Sequence, residues 1–346
     1  MRRSSMLSVV SVFTAFFASG ASAQSPYEGK VIHLILGASG GYESYARALA
    51  NHLPKHIPGS PTVIVRAMPG AASMAAANHL FNVAAPDGLT IGTFVKSIPL
   101  APMLGDKAAR YDPKKFTWIG SSSSYLDDAY FLIVRSDFNI KSVDELRSRT
   151  TPLKLGSTGP SSDADIGARI IGNVLDIKFR IVRGYKGTPN IALAIEQAEM
   201  DGMMIGISSL NSVRPDWLKG PSSLQFLLQF GYGGAGRHPA VPNAVRIDEL
   251  ARNDDDRAMY DLLQSSFKMA RPFAAPPGTP PQLAKILRDG FMATHRDSAY
   301  LEETNKLNLD VSPVSGEDLE THISKLMQTP SSVVERYTSA LNRTND

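Results

Sequence analysis

Hydrophobic positions along this 346-residue chain follow two periods that take turns. Short runs rich in Val, Ile, Leu, Thr and Phe, bounded by Gly, Pro, Ser or Asp, read as strands at Ile32–Leu36, Thr62–Arg66, Thr90–Phe94, Thr117–Gly120, Ala129–Arg135, Leu153–Gly156, Phe179–Arg183, Gly202–Ile207, Leu224–Phe230 and Lys268–Ala274. Between them the apolar spacing lengthens to that of a helix. Tyr42, Tyr45, Ala46, Leu49 and Leu53 fall on one face, a stripe that buries against a sheet. Ser142 to Glu145 and Ser162 to Asp165 read as capping boxes, and Thr188-Pro189 and Thr279-Pro280 each place an N-cap before a proline. The Pro-rich Ala275–Pro281 is then a strand-to-helix turn. Strands alternating with helices predict an α/β architecture of mainly parallel strands.

Four places repeat one design, a strand entering a Gly/Ser-rich turn that opens a helix: Leu36–Tyr42, Arg66–Met74, Leu155–Asp163 and Arg183–Asn190. Such turns offer backbone N–H groups at a positive helix end, a cradle for a carboxylate or other anion. In open α/β sheets they lie at the carboxyl ends of strands, where ligands bind. Gly and Ser are also ordinary turn and cap residues, so one such turn says little. Two in each half of the chain predict a cleft.

Gly37-Ala38-Ser39-Gly40-Gly41 spells the nucleophile elbow of a serine hydrolase, with Ser39 as nucleophile. It follows the first strand, however, so no earlier strand can supply the oxyanion loop, and no catalysed reaction is expected. His52 and His56 stand four apart on one helix and could hold a metal, although an exposed helix end is the simpler use. No dinucleotide or phosphate-loop motif occurs, and neither a metal nor a cofactor is expected. Asp127-Asp128 and Asp254-Asp255-Asp256 read as solvated acidic faces, and the scattered methionines as core filling. Tyr185-Lys186-Gly187-Thr188 puts a phenol, an ammonium and a hydroxyl on one turn. Lys186 either adds charge to an anion cradle or is a surface lysine beside a cap.

The first residues read as a leader: Arg2 and Arg3, an apolar Leu7–Phe17, and Ala21-Ser22-Ala23 as a cleavage site. Export to the periplasm with cleavage near Ala23-Gln24 follows; the apolar run is too short to span a membrane. The chain has no cysteine, which excludes a disulfide scaffold, a thiolate metal site and a lipidated N-terminal cysteine. With 36 Lys and Arg against 33 Asp and Glu, and two arginines lost with the leader, the mature chain is near neutral, against a nucleic-acid partner. Its length favours two domains in a monomer, with no floppy tether between them.

The chain resembles the periplasmic solute-binding proteins of tripartite tricarboxylate transporters, the Bug family, across nearly all of its mature length. "LILGASGGYESYARALANHL" resembles the family's strand, glycine turn and D-x-x-A-R helix, "RAMPGAASMAAANHL" its N-R-P-G-A-G-G segment, and "AAPDGLTIGTF" its A-x-P-D-G-x-T strand. "LGSTGPSSDADIGARI", "VRGYKGTPNIALAIEQAEMDGMMIGISS" and "FAAPPGTPPQLAKIL" are similar to its second-domain loop, its V-P-Y-K-G unit and its closing A-P-x-G-T-P helix.

The resemblance implies a type II periplasmic-binding-protein fold, two α/β lobes joined by crossover strands near Ala129–Arg135 and Phe267–Ala274. Lobe one would be discontinuous, residues 24–128 and 272–346 after a leader of 1–23, and lobe two residues 129–271. It implies capture of a small organic acid for membrane permease subunits; presentation of the same ligand to a membrane histidine kinase is the alternative. Carried over by motif, the ligand residues are Ser39, Gly40, Gly41, Tyr42, Glu43, Ala71, Ala72 and Ser73 from lobe one. Lobe two gives Ser157, Thr158, Gly159, Ser161, Ser162, Asp163, Tyr185, Lys186, Gly187, Thr188 and Ser208. Two departures stand out: Ala38-Ser39-Gly40 replaces a run of Pro and Gly, and Glu43 replaces the usual Asp, moving a carboxylate further into the pocket or out of it.

Overall fold

The computed structural model describes residues 25–342 except 125–128, 161, 220–222 and 232–235. The leader, Asp127, Asp128 and Ser161 therefore lie outside the described residues. Twelve strands are described: β1 (Val31–Leu36), β2 (Thr62–Ala67), β3 (Thr90–Thr93), β4 (Thr117–Ser121), β5 (Ala129–Arg135), β6 (Leu153–Gly156), β7 (Phe179–Val182), β8 (Gly202–Gly206), β9 (Leu224–Gly231), β10 (Val245–Arg246), β11 (Pro272–Ala275) and β12 (Val314–Ser315). The helices are α1 (Gly41–His52), α2 (Met74–Asn82), α3 (Val143–Ser148), α4 (Asp163–Leu175), α5 (Thr188–Glu196), α6 (Ile207–Val213), α7 (Asp254–Ser265), α8 (Pro281–Thr294), α9 (Ser298–Lys306), α10 (Gly316–Leu326) and α11 (Ser331–Asn342).

The strands form two six-stranded sheets of matching plan, β12-β4-β11-β3-β1-β2 and β10-β9-β5-β8-β6-β7. Each sheet has a parallel half, β3-β1-β2 or β8-β6-β7, as βαβ patterning requires. The third strand of each runs antiparallel to both neighbours: β11 in one sheet, β5 in the other. The expectation of mainly parallel strands therefore holds for half of each sheet. In the other half β5 and β11 run antiparallel to their neighbours because they are the strands by which the chain enters each lobe from the other, while β9 and β10 pair in parallel. The strand expected over Lys268–Ala274 is confined to β11, since Ser266–Met269 closes into a short 3-10 turn.

Side-chain alternation on β5 shows how the core is built. Ala129, Phe131 and Ile133 face one apolar cluster with α5 and α6, while Tyr130, Leu132 and Val134 face the other, which continues into lobe one. Tyr130, Phe230 and Phe267 pack together where the lobes meet, with ring centroids 5.2–5.7 Å apart and Phe267 edge to face with the other two. The predicted stripe of α1 is buried as drawn, from Tyr42 to Leu53. His52 and His56 are not an exposed helix end: their Nε2 atoms lie 2.7 and 2.8 Å from carboxylate oxygens of Glu303 and Asp297.

The last helix lies beside the second sheet. α11 packs on α4 and α7, with Tyr337 fully buried and Arg169 donating to the Leu341 carbonyl at 2.8 Å. The chain thus passes between the lobes a third time, after α10. No helix among the described residues is long and apolar enough to cross a membrane.

Candidate functional site

A cleft of about 790 Å³ opens between the sheets, lined by the turns that leave the carboxyl ends of β1, β2, β3, β6, β7 and β8. That volume is in the range of small-molecule sites. The four Gly/Ser turns singled out in the sequence all reach it. They converge because parallel strands of two facing sheets present the same end.

The β1–α1 turn contributes Ser39 and Tyr42, and its backbone is set by Gly40, whose φ of 74° a side chain would strain. The β2–α2 turn is less usual. Ala71, Ala72 and Ser73 all take left-handed conformations, with φ of 43°, 52° and 72°. Each costs a non-glycine residue about 1–2 kcal/mol. The turn closes on itself, with the Met74 and Ala75 N–H groups donating to the Ala71 and Gly70 carbonyls at 3.1 and 3.4 Å. Ser73 Oγ accepts the Val95 N–H at 3.2 Å and so ties the turn to the end of β3.

From lobe two come Thr158, Ser162 and Asp163 before or at the start of α4, and Tyr185, Lys186, Gly187 and Thr188 before or at the start of α5. Ser162 caps α4 by accepting the Asp165 N–H at 3.3 Å. Fully buried Asp165 then holds Arg169 and Arg183, each at 2.6 Å. The hydrogen bond to Asp165 raises the Arg183 pKa, with burial opposing it, and the pair fixes the end of β7 against α4.

The lobes touch across this cleft. A Cβ at Gly187 would overlap Ser39 Oγ, so glycine at 187 is a matter of space, its φ of 174° being ordinary extended backbone. Ser44 Oγ of α1 lies 2.7 Å from Ser212 Oγ of α6. Lys96 Nζ, after β3, lies 3.3 Å from Asp163 Oδ2.

Several expected residues are placed elsewhere. Glu43 does not line the cleft: its carboxylate pairs at 2.6 Å with Arg47 one turn along α1, on an exposed face. Position 43 is two residues beyond the helix start, and the turn of the helix carries it away from Tyr42. Gly41 lies behind the lining, where a Cβ would meet Ser209 Oγ at 2.9 Å. Ser157 and Gly159 act from behind as well: the Ser157 and Ser162 hydroxyls are 2.9 Å apart, and Ser162 donates to the Gly159 carbonyl at 2.8 Å. Ser208 is buried in α6, and its neighbour Ser209 lines the cleft. No histidine is among the described residues that line it, so Ser39 has no imidazole beside it there.

Among the lining residues missed from the sequence are Lys96, Tyr130 and Arg271. Lys96 and Arg271 are each only 1 % exposed. Lys96 Nζ sits 4.3 and 4.4 Å from the ring centroids of Tyr130 and Phe267, and the Arg271 guanidinium 4.5 Å from that of Tyr42. The available signal was a cation set within apolar residues, Lys96 in "TFVKSI" and Arg271 in "MARPFAA".

The family model for the tripartite tricarboxylate transporter family receptor, TctC, matches residues 45–338. The chain belongs to this family. Solved structures agree on the fold. The periplasmic binding protein BugD superposes with a TM-score of 0.70 at 19% identity, covering 91% of this chain and 98% of its own. MatC of Rhodopseudomonas palustris with bound malate gives 0.66 at 18% identity, covering 90% and 99%. R. palustris Rpa4515 with adipate gives 0.69 at 17% identity, covering 90% and 97%. No curated protein matches the chain in sequence. In this TctC-family receptor, then, the two matching sheets are the two lobes of a periplasmic-binding-protein fold, and the cleft is the space between them.

Proposed function

We propose that this chain is a periplasmic receptor that captures a small carboxylate between its lobes and delivers it to the membrane permease subunits of a tripartite tricarboxylate transporter, acting as a monomer after loss of its leader. The observation that carries the reading is the convergence of four helix-opening turns, with their hydroxyls, on one interlobe cleft. Membership of the receptor family supports it, as do the malate and adipate held by two relatives of the same fold. Backbone amides and hydroxyls from the turns at Ser39–Tyr42, Ala71–Ser73, Thr158–Asp163 and Tyr185–Thr188 would hold the carboxylate, with Lys186 at the rim. Residues 24–128 with 272–330 would move as one body against 129–271, α11 travelling with the second. Hinge closure of this kind buries the ligand and creates the surface a permease reads.

A thermal-shift screen over mono-, di- and aromatic carboxylates tests the reading. Stabilisation by at least one of them is expected. Absence of any response, together with ester hydrolysis that depends on Ser39, would overturn it.

A further inference from the structure

The acidic group of this cleft is Asp163, in place of the Glu43 that the sequence suggested. Asp163 opens α4, its side chain is 10 % exposed, and it is the sole acid among the described residues that line the cleft. Two lobe-one groups meet the same oxygen, Oδ2: Lys96 Nζ at 3.3 Å and the Tyr42 hydroxyl at 3.5 Å. Tyr42 in turn accepts the Lys96 backbone N–H at 3.1 Å, which binds the three residues into one cluster.

We propose that Asp163 is a specificity-determining residue that turns the cleft against a second carboxylate, so that the preferred ligand is a monocarboxylate with a neutral remainder. The inference rests on the carboxylate reading above. Lys96 is held between two aromatic rings and cannot reach water, so its charge needs an anion. Asp163 supplies that anion from the opposite lobe when the lobes meet. Wherever the first carboxylate is held, a second one on the Lys96 side finds a cation already matched and a like charge beside it. A hydroxyl or an apolar tail meets no such opposition.

Calorimetric titration with matched pairs, butyrate with succinate and hexanoate with adipate, reads this as a ratio of affinities. Wild-type protein should favour the monocarboxylate of the pair that fits. Asp163→Asn removes the like charge and releases Lys96, and should shift the ratio toward the dicarboxylate by about tenfold or more. Loss of the interlobe contact weakens both members alike and drops out of the ratio. Lys96→Gln, which leaves Asp163 without its cation, should move the ratio the other way, and it serves as a second test if Asp163→Asn does not fold by circular dichroism. A wild-type preference for the dicarboxylate, or an unchanged ratio in a folded variant, overturns the inference while the carboxylate reading stands. Failure of every mono- and dicarboxylate to bind wild type overturns both.

Discussion

At the scale of single residues, position 187 carries the most information. Its extended backbone suits any amino acid, yet a methyl group there would run into Ser39 of the facing lobe. Gly187→Ala should therefore leave the thermal midpoint nearly unchanged while weakening ligand binding by about tenfold or more, because it lowers the fraction of protein able to close. Calorimetry on the variant checks it; unchanged affinity would mean that the two turns do not meet in the bound state. Glu43 carries the opposite lesson. A carboxylate next to a glycine turn looks like a pocket residue in sequence, but the helical rotation pairs it with Arg47, and the acid that reaches the cleft comes from α4.

At the scale of elements, the sequence was informative wherever the signal was local. Turns and caps depend on neighbouring residues, so the four Gly/Ser turns and the Ser142 and Ser162 caps could be placed in advance. Thr188 was one position off, the cap residue being Gly187. The two-residue strands β10 and β12 are too short to leave a period. Lys96, Tyr130 and Arg271 escaped because their place in the site comes from the lobes meeting, which no local pattern records.

The junction of α8 and α9 makes its own prediction. His295 is buried, accepts from Tyr300 at 3.2 Å through Nε2 and donates through Nδ1 to the Phe291 carbonyl at 2.8 Å. Burial pushes its pKa down from 6.5 to about 4. The native state keeps it neutral where the unfolded chain would take a proton, so its contribution is full above pH 6.5 and is lost as pH falls toward about 4. The loss is at most about 3 kcal/mol. Urea unfolding across this window should show a shallower fall in stability for His295→Gln than for wild type, and parallel curves would refute the assignment.

At the scale of the whole molecule, two sheets of one plan face each other, each fed by an antiparallel strand from the other lobe, with Tyr130, Phe230 and Phe267 packed at the junction. Lys96 Nζ lies 4.3 and 4.4 Å from two of these rings, Tyr130 and Phe267, so the junction joins the apolar core to the polar cleft. The third passage, into α11, ties the chain's end to the second lobe and should limit how far the lobes open. The alternation of strands and helices anticipated the α/β class and the chain length a two-domain build; the shared third-strand position follows from long-range pairing and was visible only in the folded chain.

The most direct test is calorimetric titration of the mature protein with the carboxylate that stabilises it most in the thermal screen. One site per chain, with affinity in the low-micromolar range or tighter, about 8 kcal/mol or more, and a negative heat-capacity change from closure is the expected result. No measurable heat from any carboxylate, at temperatures chosen so that a zero enthalpy cannot hide binding, would contradict it.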